Sequence, residues 1–146
     1  MRFVNRYEGE AAIRLEQLAR RARRHAPAVL PYRCAGDAGA MTVDFLPVLR
    51  AMQDGAEQIS EAECAARALA FHETLAAAVQ EVLCVLSEKT GLRTVVLSGG
   101  VFQNALLLAL TLRRLRDFRV LLPHRLPPND GGIAYGQAAV ALAQMK

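Results

Sequence analysis

Apolar residues recur at three- and four-residue steps between Glu8 and His25, at Ala11, Ala12, Leu15, Leu18, Ala19 and Ala22, which predicts an amphipathic helix closed by Pro27. Two short runs, Val29 to Cys34 and Met41 to Val43, flank the turn-rich Ala35-Gly36-Asp37-Ala38-Gly39 and predict a β-hairpin. Asp44 is placed to cap a short helix over Phe45 to Gln53, with Pro47 in its first turn and Asp54-Gly55 breaking it. Ser60 and Glu63 form a capping box, so a long helix is expected to run to about Lys89 and end at Gly91. Its apolar positions Cys64, Ala68, Phe71, Leu75, Ala78, Val82 and Val85 predict packing along one stripe.

After Gly91 the pattern changes. Thr94 to Leu97 reads as a strand, Asn104 to Arg116 as a helix, Arg119 to Leu122 as a strand, and Ile133 to Gln144 as a last helix. Strand-helix-strand order predicts two parallel neighbouring strands joined by a right-handed crossover. The fold class is therefore α/β and helix-rich, with a small mixed sheet, and residues 1–146 are expected to form one domain.

Composition narrows the class further. With 53% hydrophobic and 22% charged residues the chain has the make-up of an ordered domain. Its longest apolar stretches, such as Ala105 to Leu110, fall short of the roughly 20 residues of a bilayer span, and no apolar h-region follows Arg2, so a cytoplasmic protein without a membrane partner is expected. Cys34, Cys64 and Cys84 form no C-x-x-C pair, and the two in the long helix are expected to be small buried thiols. Much of the +4 net charge comes from Arg20, Arg21, Arg23, Arg24, Arg113, Arg114, Arg116 and Arg119, where cations suit helix ends. A nucleic-acid surface is disfavoured, because no aromatic interleaving accompanies that charge.

Two loops could carry chemistry. Leu97-Ser98-Gly99-Gly100-Val101-Phe102-Gln103-Asn104 follows a strand and precedes a helix, at the sheet edge where ligands gather in open α/β folds. Its glycines would let backbone approach a phosphate, and free amides at the next helix N-terminus would favour negative charge; equally, the segment is a tight strand-to-helix turn with Asn104 as a cap. Pro127-Pro128-Asn129-Asp130-Gly131-Gly132 is the second such loop. Either Asn129 or Asp130 there caps the last helix, or Asp130 serves as a ligand to a hard cation or iron. His72 reads as a hydrogen-bonded core ring or a nucleotide contact, His124 as a residue that positions the Asp130 loop, and His25 as a helix-end cation.

"LSGGVFQN" and "LPPNDGGIAYGQA" together resemble the end of HypF-type hydrogenase maturation carbamoyltransferases, whose last domain is similar to the tRNA threonylcarbamoyl transferases. "RYEGEAAIRLEQLA" and "ARALAFHETLA" look like other segments of that domain in the same order, so the resemblance spans nearly the whole chain. It implies one lobe of an actin-like, sugar-kinase-like ATPase fold. It also implies transfer of a carbamoyl group from carbamoyl adenylate to the C-terminal cysteine of a HypE-type partner, toward the cyanide ligands of a nickel-iron site. By the same resemblance Gly99 and Gly100 would face phosphate and Asn104 the nucleotide, Asp130 a metal, and Glu8, Gly9 and Glu10 the nucleoside.

The implied cofactors are ATP or carbamoyl adenylate, with a divalent metal or iron bound only together with the missing lobe. Departures from the family are as informative as the agreement. The His-x-x-x-His metal motif and the adenylating and other N-terminal domains have no counterpart in these residues. The chain is therefore expected to be the C-terminal lobe of a longer enzyme, and whether it is an enzyme by itself stays open. Its exposed half-cleft leaves self-association open too. The alternatives are a non-catalytic nucleotide-binding or interaction module of the same fold, and a tRNA threonylcarbamoyl or O-carbamoyl transferase relative.

Overall fold

The computed structural model describes residues 4–22, 28–37, 39–55 and 59–145. Helix α1 spans Glu10–Arg20, strands β1 and β2 Arg33–Asp37 and Ala40–Asp44, α2 Leu46–Gln53, and α3 Glu61–Thr90. Strand β3 (Thr94–Val96), a 3-10 turn over Gly100–Gln103, α4 (Ala105–Arg114), β4 (Arg119–Leu121), a second 3-10 turn over Asp130–Gly132, and α5 (Ile133–Gln144) complete the order. The expected ends of the first helix at His25 and Pro27, with Arg23 and Arg24, lie outside the described residues, as does Ala38 in the hairpin turn.

α3 is the axis of the molecule because its ends are well marked and its middle is small. Ser60 Oγ accepts from the Glu63 amide at 3.2 Å, and Gly91 ends the helix at φ 71°. Between them Ala65, Ala68, Ala76 and Ala78 are buried, and α1 and α4 pack against them. The expectation of a single buried stripe is corrected. From Ala68 to Ala78 residues on several faces are buried, including His72, Glu73 and Thr74, because α1, α4 and the hairpin all lean on the same helix. By length and composition α3 could cross a membrane, yet here it is the helix the other elements pack on.

An outer stripe of Glu81, Cys84 and Glu88, three and four residues apart, faces solvent, so Cys84 is exposed and not the buried thiol expected; Cys64 is half-buried. α1 is likewise shallower than its pattern suggests: Ala19 is buried, but Ala11 and Ala12 are exposed.

Buried polar groups lock α4 to α3. Glu73 pairs with both Arg113 and Arg114 of α4, and Gln80 Nε2 donates to the Arg114 carbonyl oxygen at 3.1 Å. Ala76, Leu107 and Leu110 form the apolar cluster beneath that clamp. Fully burying each leucine contributes about 1.5–3 kcal/mol.

The hairpin forms in the expected place but turns later. Ala35, Gly36 and Asp37 belong to β1, and Gly36 sits at φ 108° where a Cβ would collide with the Ala40 carbonyl oxygen. Tyr32 donates to Glu81 Oε2 at 2.5 Å and stacks on Phe45, tying the hairpin to α3. β3 and β4 are parallel and in register, Val95 opposite Val120, as the strand-helix-strand order predicts. Among the described residues the antiparallel and parallel pairs remain two separate sheets.

Candidate functional site

Both glycine loops leave the C-terminal edge of the β3–β4 pair and touch each other. The Gly99 N–H donates to the Pro128 carbonyl oxygen at 2.6 Å, and Leu97 N donates to the Leu121 carbonyl oxygen at 3.1 Å. A groove of about 410 Å³ runs between them, lined by Ser98, Gly99, Asn129 and Asp130.

The paired glycines serve different purposes. Gly99 has φ 102° and ψ 156°, a backbone region essentially closed to other residues, so the chain reversal itself requires glycine. Gly100 has no positive φ, and a Cβ there would meet Asn129 Cβ at an ordinary 3.9 Å. Neither backbone nor neighbours require glycine at position 100. The turn closes through Phe102 N to the Gly99 carbonyl oxygen at 3.1 Å and Asn104 N to the Val101 carbonyl oxygen at 3.2 Å. Among the described residues that leaves the N–H groups of the exposed Gly100 and Val101 without a hydrogen bond, two donors of the kind that binds an anion.

The free amides expected at the start of α4 are partly spoken for. Asn104 Oδ1 accepts from Leu107 N at 2.9 Å, and Glu16 Oε1, from α1, accepts from Leu106 N at 3.2 Å. Glu16 thus supplies the negative charge that the helix dipole favours. Its role was missed in the sequence, where its visible partner is Arg20 four residues on, a 2.7 Å ion pair on α1 itself. Asn104 is the N-cap, and its Nδ2 lies 2.9 Å from His72 Nε2, so the cap is anchored in the core.

Asn129 caps the 3-10 turn, its Oδ1 accepting from Gly131 N at 3.1 Å. α5 itself has Gly132 at its N-cap and no side-chain cap, so neither Asn129 nor Asp130 caps the last helix. Asp130 itself is exposed, and among the described residues its carboxylate has no hydrogen-bond or ion-pair partner. No group of three or more His, Cys, Asp or Glu that could hold a metal occurs among the described residues. One carboxylate does not make a metal site, so any ion would need most of its ligands from elsewhere. His124 is exposed and makes no hydrogen bond among the described residues; the Gly99–Pro128 contact ties the loop to its neighbour.

Glu8, Gly9 and Glu10 sit at the start of α1 and do not line the groove between the two loops. Gly9 has φ 80° and Glu8 is exposed, but Glu10 is buried and accepts from Arg6 N at 2.6 Å and from Arg14 Nη2 at 2.5 Å. Glu10 precedes Glu16 by six residues, about 9 Å along the helix axis. α1 therefore reaches the α4 N-terminus through Glu16.

This arrangement coincides with a family match over almost the full chain. Residues 1–137 match the model of the second subdomain of the Kae1-like domain of carbamoyltransferases. The chain belongs to the HypF carbamoyltransferase family. It is 45% identical over 108 residues to carbamoyltransferase HypF2 of Cupriavidus necator, covering 73% of this chain and 12% of that protein. It is 38% identical over 140 residues to carbamoyltransferase HypF of Rhodobacter capsulatus, covering 96% of this chain and 17% of that protein. The crystal structure of full-length HypF in its phosphate- and nucleotide-bound form superposes with a TM-score of 0.84 at 28% identity, over 99% of this chain and 19% of that one. The chain thus spans less than a fifth of the length of each of these HypF proteins.

Proposed function

We propose that this HypF subdomain supplies one wall of a cytoplasmic carbamoyl-transfer site and holds the phosphate of an adenine nucleotide, ATP or carbamoyl adenylate. The observation that carries this reading is the pair of unbonded amides, Gly100 and Val101, on a turn whose Gly100 has no packing reason to be glycine. A phosphate oxygen accepting from both amides would gain charge-assisted bonds without disturbing the fold. Asn104 follows the same turn and would be its nucleotide contact, and Asp130 lines the adjoining groove with Ser98 and Gly99 and presents an exposed carboxylate there. Glu8 and Gly9 are the exposed candidates for a nucleoside contact on α1, whereas Glu10 is engaged within its own helix turn.

In the transfer, a cysteine thiolate of a HypE-type partner attacks the carbamoyl carbon. An S–C bond forms, the C–O bond to the adenylate phosphate breaks, and AMP leaves with the electron pair. This chain's residues would fix the phosphate and favour charge on the leaving oxygen, whereas delivery of the thiolate and activation of the carbamoyl group fall to the rest of the enzyme.

The test is calorimetric titration of the chain with ATP and a divalent metal. Because one wall alone offers few contacts, weak millimolar-range binding is expected, abolished by Gly100→Val. Binding indifferent to Gly100→Val overturns the phosphate reading, and micromolar affinity overturns the view that this chain supplies one wall alone.

A further inference from the structure

His72 is 2% exposed in the middle of α3, and every polar atom of its ring is engaged. Nδ1 lies 2.7 Å from the Ala68 carbonyl oxygen. A carbonyl oxygen can only accept, so Nδ1 carries a proton. In the neutral ring Nε2 is then bare, and it accepts from Asn104 Nδ2 at 2.9 Å. That assignment fixes the Asn104 amide as well: with Nδ2 turned to the ring, Oδ1 faces Leu107 N. No other combination of tautomer and amide orientation satisfies all three bonds. Phe71 lies edge-on to the imidazole at 6.0 Å and 87°.

From Asn104 the constraint passes into the glycine turn. The Asn104 backbone N–H closes the turn on the Val101 carbonyl oxygen, and its side chain starts α4. We infer that His72 is a positioning residue: its Nδ1–H tautomer selects the orientation of Asn104 and through it the placement of the Gly100 and Val101 amides. The importance of those amides rests on the phosphate-binding reading above; the link from His72 to Asn104 to the turn does not. A ring that merely filled space would need no acceptor at Nε2, and a hydrophobic residue of similar size would replace it.

The experiment compares the 146-residue chain with His72→Gln and His72→Leu by nuclear magnetic resonance. Glutamine can offer an oxygen near the position of Nε2, and leucine keeps bulk without an acceptor. In the unsubstituted chain the imidazole nitrogens should report a protonated Nδ1 and a bare Nε2. His72→Leu should shift the Asn104 side-chain amide, speed hydrogen exchange at Leu107, and displace the Gly100 and Val101 amide resonances; His72→Gln should restore all three. The opposite tautomer overturns the inference even if His72→Leu fails to fold. So does a folded His72→Leu chain whose Asn104, Leu107 and Gly100 signals match the parent. Titration with inorganic phosphate then separates the two readings. Gly100 and Val101 shifts seen with the parent and His72→Gln chains but lost in His72→Leu support both. A parent chain whose amides ignore phosphate sinks the phosphate reading, while the resonance comparison still decides the role of His72.

Discussion

The Gly99 loop and the Asp130 loop leave the same sheet edge and touch through one hydrogen bond, yet they are held by different means. The first is anchored from below. Asn104 is fastened to His72 of α3, Leu106 to Glu16 of α1, and the following helix is clamped to α3 by Glu73. The second rests on its own prolines, the Asn129 cap and the Gly99 contact, and leads into α5, none of whose residues is buried. Ile133, Tyr135, Val140 and Leu142 are exposed along that helix. One loop is thus built by the core of this chain, whereas the other is displayed, its conformation set by local backbone stiffness. Damage to the core should disturb the first loop, and changes to the second should cost chemistry without costing stability.

The sharpest contrast is expected at Asp130. In a full-length family member carrying this segment, Asp130→Ala should abolish carbamoyl transfer to the partner cysteine, followed by mass. Because Asn129 does the capping, stability should change by no more than about 0.5 kcal/mol. An active Asp130→Ala enzyme, or one with a lowered melting temperature, would break the distinction between the displayed and the anchored loop. On the anchored side, Glu73→Ala removes the buried carboxylate that holds the exposed Arg113 and the half-buried Arg114, and should destabilise the chain by about 1–3 kcal/mol. Chemical denaturation measures this, and a loss under 1 kcal/mol would mean that apolar packing of Leu107 and Leu110 alone holds α4.

The two glycines sharpen the comparison within the first loop. Gly99→Ala forces a side chain into a glycine-only conformation and should cost about 1–3 kcal/mol. Gly100→Ala should be neutral or stabilising by up to about 1 kcal/mol, since its backbone and surroundings accept a Cβ. If both variants lose the same stability, Gly100 is structural and the case for an open phosphate approach weakens.

What could be read in the sequence was whatever short-range chemistry determines. The Ser60–Glu63 box and Gly91 lie within a turn of the helix ends they mark, and Asn104 caps three residues ahead of its partner amide. Parallel pairing of β3 and β4 follows from element order and handedness. The two loop motifs carried the family. Long-range contacts were invisible: Glu16 and Leu106 are 90 residues apart, and His72 and Asn104 are 32 apart. An i,i+4 pair with Arg20 made Glu16 look like a surface residue, and a seven-position stripe concealed that three elements share α3. The 3-10 turn at Gly100 was missed because a four-residue element has no periodicity to detect.

The smallest effect belongs to a tether remote from either loop, and it serves as the control. Burial, then the hydrogen bond to Glu81 and its negative charge, push the Tyr32 hydroxyl from 10.0 up to about 12. A raised value means that the folded chain holds this proton more tightly than the unfolded one. The contribution is therefore fully present below pH 10 and is lost as the pH rises through about 12. Phenolate absorbance should show one tyrosine titrating well above its ordinary range, and Tyr32→Phe should remove that late step. Because Tyr32 ties the hairpin to α3 on the stripe of Glu81, its ionisation should loosen β1 and β2 while the ¹³Cα signals of Gly100 and Asp130, which do not exchange with water at high pH, hold still. If Gly100 moved with Tyr32, the anchoring of the first loop would extend through α3 to the hairpin, and His72 and Glu16 would no longer account for it by themselves.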